Sequence, residues 1–167
     1  MRRTLVLKTI NLGHSNIQAS SVALGIMRMD ALDVAQATKV IDTAADLGIN
    51  YVDSADIYGG GQSSTIFGQA LKQAHVSRDQ LYIQSNGGIV PGKRYDFSKQ
   101  HILAAVDGEL QRLGVDYLDT FLLHRPDALM EPEEVAAAFD KLQTSGKVRT
   151  LASLTSIPCK LTCFKRH

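Results

Sequence analysis

The sequence predicts an α/β fold in which a parallel sheet is covered by helices, laid out as in a (β/α) barrel. Three observations carry this. Short apolar runs alternate with amphipathic helical segments along the 167 residues, with a spacing of roughly 30 residues per unit. The apolar runs are nearly continuous, as in strands covered on both faces. Three of them, YVDS, LYIQSN and YLDTFLLH, deliver a polar side chain at their C-terminal end: Asp53, Asn86 and His124. A (β/α) barrel builds its site from such strand ends.

The elements follow in order. TLVLKTINLG, with Gly13 at its end, suggests a small hairpin ahead of the first unit. SSVALGIM (20–27) is the first core strand. Asp33 then caps a helix, with Gln36 at the capping-box position. Ala37, Ile41, Ala44 and Leu47 form its apolar stripe, and Gly48 stops it. INYVDS is the second strand, and a helix over 63–74 turns Ile66, Phe67, Ala70 and Leu71 inward. LYIQS is the third strand, followed by the loop GGIVPGKRYDF. Ser98 caps the next helix, which carries Ile102, Leu103, Val106, Leu110 and Leu113 and ends at Gly114. YLDTFLLH is the fourth strand. Pro132 starts a helix containing Val135, Phe139 and Leu142, closed by Gly146. KVRTLAS begins a fifth strand. The predicted extent is four β/α units and the start of strand five.

Composition narrows the function. The chain is 44% apolar and 21% charged, the make-up of an ordinary soluble domain, and its length suggests one domain. A net charge of +1 gives no reason to expect nucleic acid or an acidic membrane as a partner. No apolar run approaches the roughly 18 residues of a membrane span, and the N-terminus lacks the pattern of a signal peptide. The cytoplasm is the expected location. Cys159 and Cys163, near His167, have the wrong spacing for a zinc site and lack a fourth ligand, so no metal is expected.

The run YVDSADIYGGG (51–61) is the most informative segment. It puts the Asp53 carboxylate at a strand end and the Tyr58 phenol in the loop beyond. Taken singly, Asp53 suits a turn cap, Tyr58 a packed loop aromatic and His124 a core histidine; converging from barrel strand ends, they read as a site. Gly59–Gly61 suits a flexible turn better than a phosphate cradle. Arg28 suits a solvated charge, and His14, His75 and His101 the surface.

D-S-A-x-x-Y after one strand and L-x-x-L-L-H-R-P-D after a later one resemble the aldo-keto reductases. The likeness covers nearly all of residues 20–149, and H-R-P-D with A-D-I-Y-G-G is similar to the bacterial NADP-dependent oxidoreductase branch. The resemblance implies a (β/α)8 barrel and hydride transfer from NADPH to a small aldehyde or ketone. It makes Asp53 the site aspartate, Tyr58 the proton donor and His124 the histidine that orients the carbonyl. It also places Gly25 and Ile26, with Asp53, against the cofactor. The family lysine falls at Asn86. A lysine ammonium would lower the tyrosine pKa from near ~10, whereas an amide brings no charge and leaves Asp53 without its cation. Catalysis is expected to be slower by orders of magnitude.

The chain is expected to divide into residues 1–150, an N-terminal half-barrel, and residues 151–167, an aberrant tail. Back-translating 151–166 with free third bases and shifting the frame by two makes GVSNFNSMQVDLFQTP readable, the strand this family would place there; a frameshift near Thr150 is the expected origin. The lack of a second half weighs against NADP(H) binding. It is also expected to strip packing partners from many of Val22, Leu24, Val52, Ile83, Leu118, Phe121 and Leu123. An inactive or severely impaired reductase is therefore expected. Two alternatives stand beside it: a non-catalytic regulatory or binding subunit, and a half-barrel that self-associates through its open edges.

Overall fold

A computed structural model describes residues 7–13 and 15–153. His14, Cys159, Cys163, His167 and most of the expected tail lie outside the described residues. The described chain begins with a hairpin, β1 (Thr9–Asn11) and β2 (Gln18–Ser20), paired antiparallel. The hairpin was expected, but its second strand takes Ser20 from the expected first core strand. That core strand, β3, is only Ala23–Gly25. Then come α1 (Val34–Asp46), β4 (Tyr51–Asp53), α2 (Gln62–Leu71) and β5 (Tyr82–Gly87). A second hairpin, β6 (Ile89–Val90) and β7 (Arg94–Tyr95), occupies the expected loop. The chain continues through α3 (Lys99–Leu113), β8 (Leu118–Leu123), α4 (Pro132–Thr144) and β9 (Val148–Ser153).

The main sheet is parallel, in the order β3-β4-β5-β8-β9, with β3 and β9 at its edges. Each successive strand joins the far side of the last one, as in the staves of a barrel. The helices pack in the same order, α1 on α2, α2 on α3 and α3 on α4. Local chemistry explains their ends. The Asp33 carboxylate accepts from the Gln36 N–H at 2.7 Å, and the Gln36 side chain accepts from the Asp33 N–H at 3.1 Å. Gly48, Gly114 and Gly146 end α1, α3 and α4 with positive φ. Leu47 departs from the expected stripe. It sits at the C-cap of α1 and is 51% exposed, because the last turn rotates it off the buried face.

The core lies between the helices and the sheet. It holds Ile41, Phe67, Ile102, Val106 and Leu142 from the helices with Val52, Ile83, Leu118, Phe121 and Leu123 from the strands. The last five are among the seven strand residues of which many were expected to lose their partners. They are at most 1% exposed, because the helix layer, not the inner barrel face, receives them. Leu24 is partly buried against the same core; Val22 is exposed. Gly68 of α2 marks the closest helix contact: a Cβ there would lie 2.4 Å from the Leu113 carbonyl oxygen of α3.

The first hairpin packs at the opposite end from the strand C-termini. Ile17 and Ala19 bury against Tyr51, with Leu12 and Tyr82 alongside. Asn50 stitches it down, accepting from the Ser20 N–H at 2.7 Å and donating to the Gln18 carbonyl at 3.1 Å. The tyrosines that begin β4 and β5 are thus covered, and the C-terminal ends of the same strands are left to carry polar groups.

Candidate active site

Period-two alternation puts Tyr51 and Asp53 on one face of β4, and Gln84 and Asn86 on the same face of β5, with Asp53 opposite Gln84 in register. From there the loop after β4 keeps pairing with β5. Ser54 N–H donates to Gln84 O at 2.9 Å, Asn86 N–H to Ser54 O at 3.1 Å and Asp56 N–H to Asn86 O at 3.1 Å. On the other flank Ile26 N–H donates to Asp53 O at 3.0 Å. Backbone bonds thus fix the loop that carries both Asp53 and Tyr58.

Gly59, Gly60 and Gly61 follow Tyr58 with φ of 56°, 63° and 92°. Three successive left-handed residues turn the chain sharply into α2. Side chains at two of them would collide: a Cβ at Gly59 would lie 2.6 Å from Asp30, and one at Gly61 2.9 Å from Arg112. The glycine run is a tight left-handed turn between Tyr58 and α2.

Four expected residues converge. Asp53 Oδ1 accepts from Asn86 Nδ2 at 3.0 Å, and the same amide donates to the Ser54 carbonyl at 2.7 Å. Asn86 is 3% exposed. The Tyr58 ring meets the His124 ring edge-to-face, with centroids 6.2 Å apart. His124 N–H donates to Gly87 O at 2.9 Å, placing the imidazole just beyond β8. Its Nδ1 is buried without a hydrogen-bond partner among the described residues. Burial and the Arg125 charge hold the imidazole below its ordinary pKa, against the pull of Asp53, so it is neutral at pH 7. Burial raises the Tyr58 phenol above its ordinary value. The Asp53 charge and a hydrogen bond to Asp53 push it further the same way, and Arg125 opposes them.

The two expected cofactor residues beside Asp53 differ. Gly25 ends β3 opposite Asp53 and is exposed, and a Cβ there would meet nothing within 4 Å. Ile26 turns its side chain fully into the core, so only its backbone reaches the site. Arg28 is exposed. His75, expected at the surface, is more than half exposed and bonds Asp42 at 3.0 Å and Asp46 at 3.2 Å.

Two participants were not anticipated. Gln84 Nε2 donates to Asp53 Oδ1 at 2.6 Å, and Gln84 Oε1 accepts from the Tyr51 hydroxyl at 2.5 Å. Tyr51 is itself pushed up to about 12, chiefly by burial. The second is Glu109 of α3, wholly buried behind the sheet. Its Oε1 accepts from the hydroxyls of Ser54 at 2.6 Å, Ser64 at 2.8 Å and Ser85 at 3.1 Å, while Arg112 donates to Oε2 at 2.9 Å. Glu109 falls on the apolar stripe of Ile102, Val106 and Leu113, an acid at a core position, and that spacing was the available signal. A cleft of about 480 Å³ lies between the β7 segment and the loop before α4, lined by Tyr95, Phe97, Leu129 and Met130 among others. Asp53, Tyr58, Asn86 and His124 do not line it.

Asp56, in the same loop, carries a testable consequence. Its carboxyl is pushed up to about 7, first by burial and then by Glu109, with Arg112 opposing, and its Oδ1 is buried without a partner among the described residues. A carboxyl with a raised folded pKa stabilises most below its unfolded value, near pH 3.8, and that contribution is lost as pH rises through about 7. Asp56→Asn is therefore expected to match the parent near pH 4 and exceed it at pH 8, by up to about 4 kcal/mol. Urea midpoints at the two pH values test this; an equal gain at both would exclude titration of Asp56 as its origin.

The profile of the aldo/keto reductase family matches residues 21–156. A 6-dehydroglucose reductase of Novosphingobium aromaticivorans is 39% identical over 148 residues, 84% of this chain and 49% of that protein. A putative voltage-gated potassium channel subunit beta of Schizosaccharomyces pombe is 34% identical over 143 residues, 81% and 42% respectively. Among solved structures, the holo form of aldo-keto reductase AKR11C1 from Bacillus halodurans superposes with a TM-score of 0.80 at 31% identity, covering 93% of this chain and 53% of that one. The chain spans about half the length of the curated relatives it matches. Among the described residues no helix is long and apolar enough to cross a membrane, and no group of three histidine, cysteine or acidic side chains is placed to hold a metal.

Proposed function

The chain belongs to the aldo/keto reductase family, and from that premise we propose that it carries the reacting end of an NADPH-dependent oxidoreductase site for small aldehydes or ketones. The observation that carries this is the convergence of Asp53, Asn86, Tyr58 and His124 at the C-terminal ends of β4, β5 and β8. NADPH, when bound, supplies the hydride. The residues beside Asp53 fit a flat ring: Gly25 leaves open space next to the carboxylate, and the Ile26 backbone braces Asp53 from behind. Asp53 and Gly25 would flank the nicotinamide.

The protein's own groups then divide the work on the substrate. Neutral His124 donates a ring N–H to the carbonyl oxygen and orients it. Tyr58 gives its proton to that oxygen as negative charge develops there. Its raised pKa makes it a weak acid for the task. Asn86 supports Asp53 by hydrogen bonding alone, so proton delivery limits the rate. Tyr58→Phe is expected to lower NADPH-dependent reduction of 4-nitrobenzaldehyde by about 100-fold or more. Unchanged turnover in the variant would remove Tyr58 from the role.

A second reading, a non-catalytic partner subunit, draws on the same Asn86 and on the likeness to a protein named as a channel subunit. It predicts a monodisperse complex or dimer with no aldehyde-dependent NADPH oxidation in either the parent or Tyr58→Phe. The same assay separates the two.

A further inference from the structure

Asp53 is a partly exposed carboxylate whose hydrogen-bond donors from β5 are neutral amides. Gln84 Nε2 lies 2.6 Å and Asn86 Nδ2 3.0 Å from the same oxygen, Oδ1. Among the described residues Asp53 has no ion-pair partner. Arg125, the basic side chain next to His124 in sequence, is exposed. Beside the carboxylate stand the Tyr58 phenol and the edge-packed His124 ring, whose Nδ1 is buried and unpartnered among the described residues. Gln84 is itself engaged by the Tyr51 hydroxyl, so its amide is fixed with the N–H end toward Asp53. The site thus holds a preorganised negative charge beside two aromatic rings, and the one cation among the described residues whose charge reaches those rings, Arg125, is exposed and forms no ion pair with Asp53. Such a carboxylate gains most from a positive charge that arrives with a ligand, and aromatic faces add to that attraction.

We infer that the strand-end site at Asp53 selects a ligand whose polar head is a positively charged nitrogen, a protonated amine or iminium, over a neutral carbonyl or alcohol of the same shape. The inference rests on the proposed ligand site at these strand ends and names its substrate class. An iminium also removes the need for a strong acid. The hydride pair from reduced nicotinamide forms the new C–H bond, and the C=N π pair moves onto nitrogen as the lone pair of a neutral amine. The nicotinamide is oxidised and no proton is taken up. Tyr58 then has nothing to deliver, and the uncharged Asn86 is no handicap.

Calorimetric titration of the chain with benzylammonium and with benzyl alcohol tests the preference directly. Benzylammonium is expected to bind at least about ten-fold more tightly. Asn86→Lys, which supplies a cation to Asp53 from the protein, is expected to abolish the difference. Asp53→Asn, a near-isosteric loss of the charge, is expected to abolish it too and serves if the lysine variant fails to fold, as judged by circular dichroism. Equal binding of the two probes, binding of neither, or a preference that survives both substitutions would overturn the inference. Aldehyde-dependent NADPH oxidation by Asn86→Lys is scored separately. Gain there, without an ammonium preference in the parent, would refute the ligand class and leave the reductase site standing.

Discussion

Asn86→Lys is expected to raise aldehyde-dependent NADPH turnover by about two to four orders of magnitude. The structure puts the acceptors for a lysine in place. Asn86 Nδ2 already bridges Asp53 Oδ1 at 3.0 Å and Ser54 O at 2.7 Å, so a cation carried from this position has a carboxylate and a carbonyl in its neighbourhood. Two of the three influences that raise the Tyr58 phenol come from Asp53, its charge and its hydrogen bond. A cation beside Asp53 cancels the first and competes for the second, and it stabilises the phenolate directly. Burial, the largest influence, remains and still pushes the phenol upward. Two measurements check this. kcat/KM should rise with Asn86→Lys, and the pH at which tyrosinate absorbance develops should fall in that variant but not in Asn86→Lys/Tyr58→Phe. A lower tyrosine titration with no gain in turnover would mean that proton delivery is not what limits the site.

The order of strands and helices was legible because each helix announces its ends chemically. Asp33 with Gln36, Ser98, Pro132, and the glycines at 48, 114 and 146 all do locally what their residue types do best. Asp53, Tyr58 and His124 were legible because strand ends in such a sheet point one way. What escaped depends on register or on distant partners. The β6–β7 hairpin has strands of two residues, too short for any periodicity. Gln84 reads as one polar residue in an apolar run. It acquires meaning only when β4 and β5 align Asp53 with it. The serines that hold Glu109 come from β5, α2 and the loop after β4, and nothing local to Ser54, Ser64 or Ser85 links them. Val52, Ile83 and Phe121 keep their packing for a related reason. In a strand covered on both faces, sequence does not say which face a residue takes, and these three take the helix side.

Glu109→Ala is expected to cost about 3–5 kcal/mol of stability, the largest loss of any single truncation proposed for this chain. Glu109 is 0% exposed, and one of its oxygens gathers three hydroxyl donors from two strand-end segments and a helix. Removing it leaves three buried serine hydroxyls to find new acceptors, opens a cavity, and takes the ion partner from an Arg112 that is only 30% exposed. Arg112 has little room to relax, because it packs against Gly61 and Gly108, where a Cβ would lie 2.9 Å and 3.0 Å from it. One effect runs the other way. Glu109 is the second cause of the raised Asp56 carboxyl, so its loss relieves Asp56 above neutral pH. The pair should therefore couple. Urea unfolding at pH 8 should find Glu109→Ala strongly destabilised, and Asp56→Asn should stabilise the Glu109→Gln background less than it stabilises the parent. The remaining gain in that background measures burial, the larger cause. An Asp56→Asn gain of the same size in both backgrounds would mean that the two carboxyls do not sense each other, and that Glu109 serves only to tie Ser54, and with it the loop of Asp53 and Tyr58, to the helix layer.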